Sequence, residues 1–225
     1  MANRAYVSAW ANDFSESTKL EQFQKFLETA PLSASRPSFT EAIVRAVDIS
    51  ETPVREWDFR SRAFAPAEII DVLREYEGPD VAYEINAQWD LWTFDSAEHR
   101  WRQTPQRLEI FCYGREFDDG LAREQGDFLI NAGFEHFFTG HAGMLGVNAK
   151  PEEARASHPE EAKFLAEMVD PERLAEYQEK TRDNIQKLFR WLRAAETAVP
   201  LERYRLWSEG EEDLEARLDE ILAVR

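Results

Sequence analysis

Residues 83–91 alternate almost without error. Tyr83, Ile85, Ala87, Trp89 and Leu91 fall on one side, and Glu84, Asn86, Gln88 and Asp90 on the other. Successive side chains of a β-strand point to opposite faces, so a segment patterned this way buries one face and wets the other. Parallel sheets bury both faces and read as continuous apolar runs; strict alternation instead selects an antiparallel sheet covered on one side. Three long strands are expected in succession, at 81–94, 106–117 and 126–139. In the second, Leu108, Ile110 and Cys112 oppose Glu109, Phe111, Tyr113 and Arg115. In the third, Phe128, Ile130, Ala132 and Phe134 oppose Asp127, Leu129, Asn131 and Glu135.

The flanking segments supply helices and minor strands. An opening strand is expected at 5–11, a second at 39–49 (with a helix through Glu41–Val44 as the competing reading), and a short edge strand at 55–60. Thr18-Lys19-Leu20-Glu21 matches a capping box, and Leu20, Phe23 and Leu27 follow at helical spacing, predicting a helix over 18–30. A second helix starts at Pro66, carries Ile69, Ile70, Leu73 and Tyr76, and is expected to stop at Gly78-Pro79 with the glycine as a left-handed cap. Beyond Gly140 the chain becomes helical. Ser157-His158-Pro159-Glu160 fits a capped start, and Asp170-Pro171 restarts a helix. Leu174, Tyr177, Thr181, Ile185, Leu188 and Leu192 then form one apolar stripe. A short strand or loop at 204–207 and a last helix with Leu214, Leu218 and Ile221 close the chain. The expectation is a single α+β domain over 1–225, with a sheet of about five strands in 1–146, helices on one face, and a helical part over 147–225. The stretch 148–157 is the best hinge candidate.

Composition narrows the function classes. The 225 residues carry a formal net charge of −17, which repels nucleic-acid backbones and anionic lipid surfaces alike. No apolar run approaches the ~20 residues needed to span a bilayer, and Met1–Tyr6 lacks a signal-peptide core. A lone cysteine, Cys112, excludes an intramolecular disulfide and suits a reducing cytoplasm. Placed mid-strand on the apolar side, its thiol reads as a small hydrophobe.

The histidines draw attention because His136 and His141 flank a Gly140. An offset of five puts them on opposite faces of a strand, or roughly 140° apart on a helix. They meet only if Gly140 breaks the strand and folds His141 back. Glu135 and His141 share a strand face but lie about 20 Å apart along it. His99 falls in a hairpin turn and His158 at a helix start, both read as solvated. The glycines of 140–146 match neither a phosphate loop nor a dinucleotide turn, and read as a flexible corner. Acidic runs at 152–153, 160–161 and 209–213 sit at helix starts, where they complement the helix dipole. No metal and no cofactor are expected.

The wet sheet face is the better candidate site. Glu84, Asn86, Gln88, Asp90, Glu109, Phe111, Tyr113, Arg115, Asn131 and Glu135 are expected to share it. Paired carboxylates in unlike environments can do acid–base work. Cross-strand pairing of an ordinary polar face explains the same residues. Phe111 and Tyr113 suggest that the face is partly covered, by the chain itself or by a partner.

In general character (acidic, single-domain, α+β, cysteine-poor) the chain resembles immunity proteins encoded beside bacterial toxins. That resemblance implies a non-enzymatic protein that captures a basic partner, and it transfers no residue roles. The alternative expectation is an enzyme or small-ligand binder using the carboxylate-rich face. A homodimer through the sheet or the 172–193 helix fits either.

Overall fold

The computed structural model describes residues 3–95, 98–141, 144–145, 156, 159–210 and 213–223. The long alternating segment is its centre. It forms β4 (Val81–Asp95), which pairs antiparallel with β5 (Arg100–Tyr113), which in turn pairs with β6 (Phe128–Phe134). The meander expected from the sequence is therefore present. Around it lie β1 (Arg4–Ala11), β2 (Glu41–Ala46), β3 (Arg55–Asp58) and β7 (Leu201–Ser208). Seven strands run in the order β3-β2-β4-β5-β6-β1-β7, every neighbouring pair antiparallel. The expectation of about five undercounts the sheet. Its two edges, β3 and β7, are short segments with few buried side chains, so hydrophobic pattern signals them weakly. β7 also shows that the C-terminal third is not purely helical; it adds an edge strand beside β1.

Helices α1 (Lys19–Glu28), α2 (Pro66–Leu73), α4 (His136–Thr139), α5 (Pro159–Glu167), α6 (Pro171–Ala198) and α7 (Leu214–Ala223) share one core with the apolar sheet face. Leu20, Phe23, Phe26 and Leu27 of α1 are buried, and Phe26 stacks on Phe128 of β6 with ring centroids 4.8 Å apart. Trp89 of β4 sits fully buried between Trp191 of α6 and Phe138 of α4, at 5.9 and 6.0 Å. Asp170 caps α6, its carboxylate accepting from Glu172 N at 2.9 Å. Lys19 is the exception in this core. Its buried ammonium is satisfied by Glu16 and the Gly78 carbonyl, each at 2.7 Å, and lies over the Tyr83 ring. Cys112 is buried as expected, and burial pushes its thiol far above the ordinary range.

Several local expectations are corrected. Thr18 makes no cap bond to α1; its hydroxyl accepts from Ser15 N and donates to the Asp13 carbonyl instead. Gly78 is not left-handed, since it is absent from the positive-φ glycines and its carbonyl serves Lys19. Residues 41–44 are strand, not helix. β5 begins at Arg100, not 106. Pro105 is tolerated because β6 pairs only with Glu109–Cys112, leaving the first part of β5 without a second neighbour. β5 ends at Tyr113 because Gly114 turns there; a Cβ on it would lie 2.3 Å from the Pro79 carbonyl oxygen. β6 ends at Phe134, and residues 136–139 are helical. The capped start expected at Ser157-His158 and most of the 148–157 hinge candidate lie outside the described residues.

The second sheet face is not simply wet. The β5–β6 connection, with α3 (Ala122–Gln125), folds over part of it. There Tyr113, Phe117, Ala122, Leu129 and Ala82 form a small second core, flanked by Tyr6, Phe111 and Trp207. Phe111, Tyr113 and Phe117 stack in series at 6.0 and 5.9 Å. The chain itself buries Tyr113 and partly covers Phe111, the two aromatics expected on the polar face.

Candidate functional site

Strand register carries four of the expected site residues into one cluster. Glu41, Asn86, Glu109 and Asn131 stand in a single row across β2, β4, β5 and β6, with Glu84 one step along β4. Asn86 Nδ2 donates to Glu41 Oε2 and to Glu84 Oε1, both at 3.0 Å. Asn131 Nδ2 donates to Glu109 Oε2, and Asn131 Oδ1 accepts from Gly133 N. Arg107 lies 2.6 Å from Glu109 and 3.9 Å from Glu84, and Arg45 is 3.9 Å from the other Glu84 oxygen. Glu84, Asn86 and Asn131 are only 9%, 4% and 5% exposed. Burial is the main reason the Glu84 carboxyl rises above its ordinary range; Glu109 adds to the shift, while Asn86, Arg45 and Arg107 oppose it. A raised carboxyl contributes most stability below the ordinary glutamate pKa and loses it as pH rises through the folded value. The row is a cross-strand lattice whose amides and guanidinia are spent on its own carboxylates.

The remaining expected residues scatter. Gln88 is half-buried on β4, beside Arg107 in register. Asp90 ties down the 33–36 turn, accepting from Ser33 Oγ at 2.6 Å and Ala34 N at 2.8 Å. Phe111 and Tyr113 belong to the second core. Arg115 was expected on the polar face; past the Gly114 turn it instead reaches the Phe14 carbonyl. Glu135 stands before α4, beyond the end of β6, with its backbone N–H on the Asn3 carbonyl.

A different place gathers chemistry. Where β4 and β5 run out past the sheet, they form with α4, α5 and α6 a cavity of about 300 Å³. Trp92, Phe94, Trp101, Phe137 and Phe164 supply its apolar wall, and His136, His141, Glu161, Tyr177, Thr181 and Asn184 its polar one. Asn184 pins the strand to the helix: its Oδ1 accepts from Trp92 N at 2.8 Å, while its Nδ2 donates to the Trp92 and Phe137 carbonyls at 3.1 and 3.0 Å. Phe164 and Trp101 pack against Tyr177 with centroids 5.3 and 5.4 Å away.

The two histidines meet here after all. Gly140, at φ +72°, reverses the chain after α4, and a Cβ on it would lie 2.6 Å from Leu145. The sequence allowed for this route but took the extended strand as the base case. His141 Nε2 is 2.6 Å from Glu161 Oε1, and its backbone N–H donates to Tyr177 Oη at 2.7 Å. Burial pushes the Tyr177 hydroxyl up to about 12, so it stays protonated and can donate. Burial also holds His136 below its ordinary range, helped by the neighbouring His141 and opposed by Glu135. A neutral imidazole, a carboxylate-anchored imidazole and a phenol thus face an aromatic wall. Such a site can stack a planar apolar body and hydrogen-bond a polar end. Among the described residues, no three His, Cys, Asp or Glu are grouped to hold a metal ion. The signal that could have found this site is aromatic density, with Trp92, Phe94 and Trp101 flanking one hairpin turn.

Comparison with protein families, with curated proteins and with solved structures gives no match. The functional reading therefore rests on this chain's own geometry.

Proposed function

We propose that the protein binds a small, largely apolar organic molecule with a polar end in the cavity between the β4–β5 extension and α4–α6. The observation that carries this reading is the pairing of an aromatic wall with a short polar arc in a cavity of about 300 Å³. That volume lies at the lower end of the roughly 300–1,000 Å³ typical of ligand sites. The carboxylate row on the sheet supports the reading less well as a ligand site, because Asn86 Nδ2 and Asn131 Nδ2 already donate to its own carboxylates, although Asn86 Oδ1 is buried without a partner. The test is a fluorescence titration with the neutral dye N-phenyl-1-naphthylamine. Saturable enhancement is expected, weakened at least tenfold by Phe164→Ala and unchanged by Glu109→Ala. Binding that ignores Phe164→Ala would remove the support for this cavity.

A second reading is favoured by the net charge of −17. A field of that sign speeds encounter with a basic protein and makes the association salt-sensitive. It predicts that a pull-down from the native host recovers a basic protein at low salt and loses it at high salt. Recovery of no basic protein at either salt concentration contradicts it.

A further inference from the structure

The charge balance makes one surface anomalous. In a chain with 44 acidic and 27 basic residues, Arg123, Arg203 and Arg205 line a single cleft of about 520 Å³, with Trp10, Glu124, Gln125 and Tyr204. Three guanidinia thus meet one glutamate there. Among the described residues none of the three arginines is paired with a carboxylate.

Two of them are nevertheless held in place. The Arg203 guanidinium lies over the Trp10 ring, its carbon 4.1 Å from the centroid, and Arg205 lies over Trp207 at 5.6 Å. Arg205 also donates to the Glu124 carbonyl at 3.3 Å. Register explains the grouping. Arg203 and Arg205 are two residues apart on β7, opposite Trp10 and Ser8 of β1, so all four side chains share the face away from the helices. Gly126 brings α3 against that edge. It sits at φ +97°, and a Cβ on it would come 2.7 Å from Ala9 N, so only glycine allows the approach that places Arg123, Glu124 and Gln125 beside Trp10.

Two polar atoms of the residues beneath the cleft are closed to solvent. Trp10 Nε1 and Gln125 Oε1 are buried with no partner. A buried indole N–H normally finds an acceptor, and leaving one unmet costs free energy. An oxyanion in the cleft would neutralise the guanidinia. Stacked arginines present flat, pre-ordered N–H forks suited to phosphate. Guanidinia reach the cleft from two elements, Arg203 and Arg205 from β7 and Arg123 from α3, and a tetrahedral group offers such a set more oxygens than the two of a carboxylate. The protein's overall negative charge disfavours a polyanion and selects a compact ligand.

We propose that this cleft binds the phosphoryl group of a small phosphate monoester. It lies on the edge formed by β1 and β7 and is independent of the aromatic cavity. The test is calorimetric titration of the full chain with inorganic phosphate and with glycerol phosphate, alongside acetate as the planar anion. Saturable binding of both phosphates is expected, with acetate at least tenfold weaker. Arg203→Ala and Arg205→Ala should each weaken phosphate at least tenfold. Arg203→Lys should fail to restore it, because an ammonium lacks the flat fork. Arg60→Ala removes an exposed charge far along the chain and should change nothing. The proposal is overturned if phosphate does not saturate, if Arg203→Ala binds like the wild type, or if Arg60→Ala weakens binding as much. Acetate binding as tightly as phosphate would overturn the phosphoryl assignment.

Discussion

The two faces of the sheet carry the same alternation and end up with different physics. On the helix-covered face, Tyr83, Ile85, Ala87, Trp89 and Leu91 all enter one core. On the other face Glu84, Asn86 and Asn131 are also nearly buried, although the helix packed there, α3, has only four residues. Polar residues on that face are dry because they sit in a row across four neighbouring strands and their amide N–H groups bond the adjacent carboxylates, leaving Asn86 Oδ1 without a partner. Alternation says which residues share a face. It does not say that the polar one is displayed.

The sharpest contrast between the faces is in stability. Trp89→Ala should cost about 3–5 kcal/mol, as expected for a large aromatic removed from a packed core. Urea denaturation should show a midpoint lowered accordingly, and a loss under about 1 kcal/mol would mean that the Trp191–Phe138 cage collapses freely around the gap. Asn86→Ala should cost less, about 1–3 kcal/mol, because it strands Glu41 and Glu84 without their shared donor. A neutral outcome would show that the lattice contributes nothing and that the polar face is solvated in the way alternation alone suggests.

Glu84→Gln should have the smallest effect on stability and the most telling pH dependence. The wild-type carboxyl is raised by burial, so its contribution is full at acid pH and declines as pH rises through the folded value. The variant should therefore match or slightly exceed the wild type at neutral pH, and lose that advantage on acidification. Thermal melts across this range check the sign. His136 runs in the opposite direction. Its folded pKa is depressed, so the fold carries no penalty above the ordinary histidine value of 6.5 and an increasing one as pH falls below it. Substituting His136→Phe should flatten that part of the melting curve. An unchanged slope would place the acid sensitivity in other groups.

Much of this fold was legible in the chain. The β4–β6 meander, the α6 stripe and the helix restart at Asp170-Pro171 follow from side-chain period and end chemistry. The edge strands were legible only as short segments, at 55–60 and at 204–207 as strand or loop; the place of β7 beside β1 was not, because it buries little and that pairing spans nearly the whole sequence. The candidate site was only partly legible. The Glu84–Asn86–Glu109–Asn131 cluster follows from register, while Arg115 was lost to the Gly114 turn. The aromatic cavity was obscured because its polar side chains come from separate segments, α4, His141 past Gly140, α5 and α6. Nothing local to His136 specifies that His141 returns to it.

Small-ligand binding is proposed for the cavity at the end of β4 and β5 and not for the polar face. The most direct measurement is the indole N–H spectrum of the seven tryptophans during titration with N-phenyl-1-naphthylamine. Trp92 and Trp101 are expected to shift with a common midpoint while Trp207, beside the second core, stays still. Movement of Trp207 with Trp92 and Trp101 unperturbed, together with loss of binding in Glu109→Ala, would contradict it.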